Sequence, residues 1–460
     1  VAQALLWQEV VTRLLAGTGL VLGLRPFSLT GRRGIEASRY PMKFARSRSS
    51  SGSLNLHSLT FSVFASALAT VAPSRADDVL ATAVPLAAAA TVAHATESPS
   101  PLIQQPQPPK ADVRAMREDT RHFPAFGSLS IAGATYYTYR FEGHVHSKYS
   151  RDAKHAPVDI LNTAQRLGLD ALVITDHGVS SALADFASYH GPLVPFVGRE
   201  IGGQFGHAVM WNVAEDDVHA PKQTTLQQRA DFAHRNGGLL VFAHPGWWID
   251  GNDRDPMEWM TPEAMRRGGV AGAVDAIELW NGVYRTPLQK LTNAWLKLLE
   301  AGVYVPIVGN SDFHNSSVHK IGNAHNLAIC DRPEVATCLW SAVKEGRIVV
   351  TDGPAAVFTV NDRLPGSIIE PDGSPLRVNV DALAPEGGTL QLYSGRDVVQ
   401  KLELQPGVRA QAKWQVESPA NDSFLRIDIL RPHATQSQTP VSLLSNPVLI
   451  DVAPSRSSWR

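Results

Sequence analysis

The sequence predicts an α/β fold built as a barrel or layered sheet, followed by a smaller β-sandwich-like domain and preceded by a disordered or cleaved N-terminal region. Three observations predict it. From about residue 136 onward, short apolar strands alternate with amphipathic helical stretches, the pattern of strands joined by crossovers. After Asp352-Gly353-Pro354 the pattern changes to strict alternation of apolar and polar residues, as in half-buried antiparallel strands. Before residue 126 neither pattern is present, and Ala, Ser, Pro and Leu dominate.

Residues 1–41 precede an internal Met42 and are expected to be upstream sequence that the mature protein does not carry. Residues 42–76 have the layout of a secretory signal: Lys43, Arg46 and Arg48, then an apolar run over 59–72, then Ser74-Arg75-Ala76 with small residues suited to cleavage. The run is short against the roughly 20 residues a membrane span needs, so a periplasmic or secreted protein without a stable span is expected. Residues 77–125 form an Ala/Pro-rich linker that includes Pro99, Pro101, Pro106, Pro108 and Pro109.

Residues 126–352 carry the barrel. Strands are expected at 137–142, 171–175, 193–197, 239–242, 276–279 and 305–308, each feeding a crossover, so the sheet should be parallel. Leu288, Leu291, Trp295 and Leu298 recur every three to four residues and share one face of a helix between the last two strands. In residues 353–460, Leu376, Val378 and Val380 alternate with Arg377, Asn379 and Asp381, and Leu425, Ile427 and Ile429 alternate with Arg426 and Asp428. These strands predict the β-sandwich-like domain.

Composition narrows the function. Lys plus Arg total 42 against 43 for Asp plus Glu, a net charge of -1, so no basic field exists to neutralise a nucleic-acid backbone, and a small-molecule substrate is expected instead. With only Cys330 and Cys338, neither a disulfide scaffold nor a cysteine zinc site can be built; the spacing does not decide whether they pair, and two buried thiols are expected. Metal chemistry must therefore use imidazole and carboxylate.

Those groups fall at strand ends. His144-Val145-His146 follows the first strand, Asp176-His177 the second, Glu200 the third, His244 the one after 242, and Asp312-Phe313-His314 the last. In a parallel barrel these ends converge on one face. Side chains at i and i+2 on an extended segment point the same way, so His144 with His146, and Asp312 with His314, are natural chelating pairs. Glu200 is the best candidate to bridge two ions.

The ordered set resembles the PHP (polymerase and histidinol phosphatase) metallohydrolases, and within them the CehA/McbA-like branch. The resemblance covers roughly residues 139–354: His144 and His146, Asp152, Thr175-Asp176-His177, Glu200, Gly206-His207, Ala243-His244-Pro245 and Ser311-Asp312-Phe313-His314, with Ser445-Asn446-Pro447-Val448 as a softer match near the end. It implies a distorted (β/α)7 barrel, a C-terminal β domain, a secreted location and two to three divalent ions such as zinc, manganese or iron. His144, His146, Glu200 and Asp312 would hold one ion, Glu200, His207 and His244 a second, and Asp152, His177 and His314 a third. Glu200, Asp312 and His207 would stand at the reaction, where a bridging water loses its proton near neutral pH and attacks an electrophilic carbonyl or phosphorus.

Residues around this set carry weaker expectations. Asp176 should orient the neighbourhood of His177 without binding metal, and Glu278 should support the ligands from behind. Trp247, Trp248 and Trp280 are candidates for an aromatic substrate wall. Arg199 should point away from Glu200, leaving Lys148 as a cation near the motifs; this scarcity and the tryptophans favour a carbamate or carboxylic ester with an aryl leaving group over a phosphoester. A metal-stabilised binding module without catalysis is the reading from a different class.

Overall fold

The computed structural model describes residues 116, 119–203, 205–214, 225–245, 258–283, 287–316, 319–433 and 440–452. The expected upstream segment, the signal and most of the linker, as well as Trp247 and Trp248, lie outside the described residues.

Seven strands form a curled sheet in chain order: β2 (Ala134–Val145), β3 (Ala171–Ile174), β4 (Val194–Gly203), β5 (Gly206–Trp211), β6 (Leu239–Ala243), β7 (Ala276–Asn281) and β8 (Ile307–Asn310), with β1 (Ser128–Ile131) hairpinned onto β2. Helices lie between them: α1 (Pro157–Arg166), α2 (Leu226–Arg235), α3 (Pro262–Arg267), α4 (Val270–Ala273) and α5 (Leu288–Glu300). The curl closes where Val145 bridges Phe313 in parallel and the His146 N–H donates to the Phe313 carbonyl at 2.8 Å. This is a distorted (β/α)7 barrel.

The sheet is not all parallel, contrary to the expectation from crossovers. β4 and β5 pair antiparallel, placing Glu200 opposite Val209 and Gly202 opposite His207. Only the short turn between Gly203 and Gly206 joins them, whereas a crossover needs about a dozen residues. β5 was not expected as a strand at all.

α5 forms as its periodicity predicts. Leu288, Leu291, Trp295 and Leu298 are all buried in one apolar cluster with Ile277, Leu279 and Ile307 of the adjoining strands. α2 starts with a reciprocal cap, the Thr225 hydroxyl accepting from the Gln228 N–H while the Gln228 carboxamide accepts from the Thr225 N–H.

Three further elements, β9 (His325–Cys330), α6 (Val335–Lys344) and β10 (Ile348–Thr351), extend the sheet beyond β2. The flank of β8 toward β9 is sealed by side chains. The Asn326 carboxamide accepts from the Gly309 N–H at 2.8 Å and donates to the Gly309 carbonyl at 2.6 Å. Asn446 does the same one turn of the pleat away, accepting from the Ile307 N–H at 2.8 Å and donating to the carbonyls of Ile307 at 2.9 Å and Ile348 at 3.0 Å. Each carboxamide replaces a missing strand partner, so that the N–H and carbonyl of Gly309 and of Ile307 are paired.

The remaining strands are β11 (Ala355–Val360), β12 (Ile368–Ile369), β13 (Leu376–Leu383), β14 (Gly388–Ser394), β15 (Asp397–Leu404), β16 (Arg409–Val416), β17 (Ser423–Leu430), β18 (Val441–Ser445) and β19 (Val448–Ile450). β11, β13 and β16 make one sheet, which packs through Phe358, Val378 and Val380 on Leu390, Ile427, Ile429 and Leu443 of the other. That other sheet is continuous with the barrel, because β10 pairs with β18. β13 alternates as expected. β17 does not: it is buried on both faces, since Phe424 reaches the barrel core, and Arg426 and Asp428 are buried as an ion pair with the Arg426 guanidinium 3.9 Å from the centre of the Tyr393 ring.

Cys330 at the end of β9 and Cys338 in α6 are joined as a disulfide, with Cα atoms 5.6 Å apart, and both are buried. Two separate thiols were expected. The turn from strand to helix brings residues eight apart in sequence face to face, which spacing alone does not reveal.

Candidate metal centre

The nine residues singled out from the sequence all stand at the end of the barrel where β2, β3, β6 and β8 terminate, joined by the β4–β5 hairpin. Glu200 is at the centre. Its Oε2 lies 3.6 Å from His144 Nε2, 3.5 Å from His146 Nε2 and 2.9 Å from His177 Nδ1. Its Oε1 lies 2.5 Å from His207 Nδ1 and 3.0 Å from His244 Nε2. The two oxygens of one carboxylate therefore address two different groups of histidines.

Asp312 makes the second hub, with Oδ1 at 3.3 Å from His144 Nε2 and 3.2 Å from His146 Nε2, and Oδ2 at 4.0 Å from His244 Nε2. Asp152, His177 and His314 gather at the outer side: Asp152 Oδ2 is 3.1 Å from His177 Nε2 and 3.6 Å from His314 Nε2. Among the described residues, ligand atoms close enough to share an ion occur in four overlapping groups, which add His146 to the outer set and join His144 and His244 to Asp312.

His144 Nε2, His146 Nε2 and Asp312 Oδ1 are buried, face one another and lack hydrogen-bond partners. Unpaired buried polar atoms are costly, and a divalent cation among them would satisfy all three. Burial is the largest influence on the Glu200 and Asp312 carboxyls and would raise both, but His144 acting with His177 and His207 on Glu200, and with His146 and His244 on Asp312, outweighs it and holds both well below the ordinary carboxylate range. For His146, burial dominates and pushes the imidazole down to about 4, which keeps it neutral as a ligand must be.

The backbone is bent to serve this geometry. His244 and Asp312 have φ of 28° and 51°, in the left-handed region that side-chain-bearing residues avoid. His244 directly follows the end of β6, and Asp312 stands two residues beyond the end of β8. Below the site, Trp211 donates to the Gly143 carbonyl at 2.6 Å and lies so close that a Cβ at Gly143 would fall 2.2 Å from its ring, so this strand position admits only glycine.

The supporting residues divide into those anticipated and those missed. Glu278 accepts from His144 Nδ1 at 2.8 Å, from Asn310 at 2.8 Å, from Asn281 at 2.6 Å and from the His244 N–H at 3.3 Å. Glutamine would put an amide donor in place of one of these acceptor oxygens, and Glu278→Gln is expected to weaken metal binding roughly 10- to 100-fold, as competition with a chromophoric chelator would measure. The Asp176 carboxylate faces Ser147. It accepts from the Ser147 N–H at 2.6 Å and from its hydroxyl at 2.7 Å, fixing the turn after His146.

Trp280 is not a wall of the site. It is 1% exposed and packed in the barrel core, because an irregularity in the β7–β8 register between Glu278 and Trp280 breaks the alternation that would have aligned them. Asn281 stands nearest the site instead, donating to Glu278 Oε1 and, at 3.2 Å, to Asp312 Oδ2. Arg199 is buried on β4, and Lys148 sits on the loop beyond His146, 3.0 Å from Asp185.

Two supports were not seen in the sequence. Glu142 accepts from the Ser311 N–H at 2.7 Å and from its hydroxyl, and from the Gly322 N–H at 2.7 Å; burial pushes its carboxyl up to about 7 against those bonds. It fixes the turn that presents Asp312. Ser150 lies 2.9 Å from both His146 Nδ1 and the His177 N–H. Its place in the same strand-end loop as His146 was the available signal, but serines in loops are too common for it to stand out.

Residues 142–307 match the family model described as the PHP domain. This part of the chain is similar to a PHP domain. The match spans His144 through His244, and Asp312 and His314 follow just beyond it. Among solved structures, the chain is similar to a two-domain protein of Bacteroides vulgatus named as containing a predicted PHP-like metal-dependent phosphoesterase (15% identity, TM-score 0.43, covering 72% of this chain and 99% of that one). It is also similar to an amidohydrolase of Chromobacterium violaceum with bound sulfate and no metal (17% identity, TM-score 0.31, covering 45% of this chain and 96% of that one). No curated protein matches the chain.

Proposed function

We propose that this protein is a metal-dependent hydrolase of ester-like bonds, with a phosphoester as the first substrate class. The observation that carries the reading is the Glu200 carboxylate, whose Oε2 faces His144, His146 and His177 while Oε1 faces His207 and His244. Such a carboxylate suits a pair of cations held close together. When bound, divalent ions supply Lewis acidity and an ionised water at neutral pH. The chain's own part is to hold them: His144, His146, Glu200 and Asp312 at the buried side, Glu200, His207 and His244 across the carboxylate, and Asp152, His177 and His314 toward solvent. Both cysteines are locked in the disulfide, so no thiol nucleophile competes with this reading.

An aryl carbamate or carboxylic ester, favoured from the sequence, rested partly on an aromatic wall. Trp280 is in the core, and Trp247 and Trp248 lie outside the described residues, so that support falls away. Lys148 on the loop after His146 is a cation near the site, but it is paired with Asp185 at 3.0 Å, and a phosphate oxygen would have to share it.

The test is turnover of an aryl phosphate, a nucleotide, a naphthyl carbamate and an aryl ester by chelated and by metal-reconstituted protein. Turnover of the phosphates is expected to vanish on chelation and return with zinc, manganese or iron. Turnover of the carbamate alone would replace the substrate class, and no turnover at full metal occupancy would favour a binding module.

We also propose a periplasmic or secreted location, supported by the Cys330–Cys338 disulfide, since such bonds persist in oxidising compartments. Among the described residues no helix is long and apolar enough to cross a membrane. Mass spectrometry of the mature protein is expected to find an N-terminus near residue 77; one upstream of residue 42 would contradict the cleaved signal.

A further inference from the structure

Ser150 holds two of the candidate ligands at once. It is buried, in the loop between His146 and Asp152, and its Oγ lies 2.9 Å from His146 Nδ1 and 2.9 Å from the backbone nitrogen of His177. A hydroxyl has one proton and two lone pairs. The His177 N–H can only donate, so it takes one lone pair.

The contact with His146 then decides a tautomer. If the hydroxyl donated to Nδ1, the ring proton would sit on Nε2, the atom that faces Glu200 Oε2 at 3.5 Å and Asp312 Oδ1 at 3.2 Å and that an ion would need. If the hydroxyl accepts from Nδ1–H, the Nε2 lone pair is directed into the cluster. The same partner arrangement holds at the other well-placed imidazoles: His144 Nδ1 faces Glu278 Oε2 and His314 Nδ1 faces the Asp312 carbonyl, both at 2.8 Å and both acceptors only. Ser150 is the corresponding acceptor for His146.

We propose that Ser150 is a positioning residue for the metal centre, accepting from His146 Nδ1–H and from the His177 N–H together, so that one hydroxyl sets the ligands of both the buried group and the outer group. The two groups share His146: it lies with His144 and Glu200 on one side and with Asp152, His177 and His314 on the other. The Asp176 carboxylate, by holding Ser147, fixes the turn that presents Ser150, whose N–H donates to the Ser147 carbonyl at 2.9 Å. This inference rests on the metal-centre reading above and adds to it the residue that orients the ligand common to both groups.

The experiment is metal binding by full-length wild type, Ser150→Ala and Ser150→Thr, read as ion stoichiometry after dialysis and as affinity for cobalt(II) from its visible absorption. Wild type is expected to bind at least two ions. Ser150→Ala is expected to bind them roughly 10- to 100-fold more weakly with an altered cobalt spectrum, and Ser150→Thr, which keeps the hydroxyl, to recover most of the affinity. Melting of the metal-free proteins separates positioning from bulk stability: the three should melt alike without metal and diverge only with it. If wild type binds metal and Ser150→Ala binds it equally well with the same spectrum, or if Ser150→Thr does not recover, the role of Ser150 is overturned while the hydrolase reading stands. If wild type binds no divalent ion, both fall together.

Discussion

Glu200→Gln is expected to abolish turnover, with a loss on the order of a thousandfold or more, and to reduce bound metal by at least one ion. The reason is geometric. Five imidazoles face this one carboxylate, three at Oε2 and two at Oε1, and an amide offers them one weak acceptor and a pair of donors instead of two anionic oxygens. Removal of a single stabilising group at a reaction centre costs about two to three orders of magnitude in other enzymes, and here the same change also removes a cation ligand. Glutamine is nearly the size of glutamate, so the packing around β4 should persist and the melting temperature of the metal-free protein should change little. Metal analysis and steady-state kinetics on the same preparation would check both parts. Full metal content with near-normal turnover in Glu200→Gln would remove the central place given to this residue.

The second large effect is expected on stability, far from the metal centre. Asn446→Ala removes a carboxamide that satisfies the N–H and carbonyl of Ile307 and the carbonyl of Ile348, all in the interior. The Ile348 carbonyl keeps the backbone N–H of residue 446 at 3.2 Å, so the N–H and carbonyl of Ile307 are the groups left unpaired, and at about 1–3 kcal/mol for each a total loss of about 2 kcal/mol or more is expected. Asn446→Asp should be worse than alanine above neutral pH, because its carboxylate cannot donate to either carbonyl and would be buried without a cation. Urea denaturation of the two variants would test this. The effect should appear in β8 first, and so in the turn that carries Asp312, which gives a readable link to metal affinity. If Asn446→Ala unfolded at the wild-type urea concentration, the carboxamide would not be a strand substitute in any energetic sense.

The comparison of these two positions shows why some of the molecule was legible from the chain and some was not. His144, His146, Asp312 and His314 could be found because alternation along an extended segment is a local rule, and strand ends are marked by where apolar runs stop. The same rule failed at Trp280, where the β7–β8 register shifts, and at β17, where an alternating strand has its polar side buried against another part of the chain. The all-parallel expectation failed because β5 was not expected as a strand, so its short connection to β4 was not read as a hairpin turn. None of these departures is a matter of propensity. Each depends on which surface arrives from elsewhere.

By itself the sequence determined the kinds of groups available for chemistry, the absence of a basic field, the strand-and-helix alternation and the placement of histidines and acids at strand ends, because all of these are properties of neighbouring residues. The tertiary structure alone decided that Glu200 faces five imidazoles, that Glu142 and Ser150 hold the ligands from behind, that Asn446 completes β8, and that Cys330 meets Cys338. Hydrogen bonds and ion contacts act over about 3 Å and depend on how the chain turns back on itself, so a partner met across a loop, as Ser150 meets His146, or from far along the chain, as Asn446 meets Ile307, leaves no pattern in the sequence around either residue.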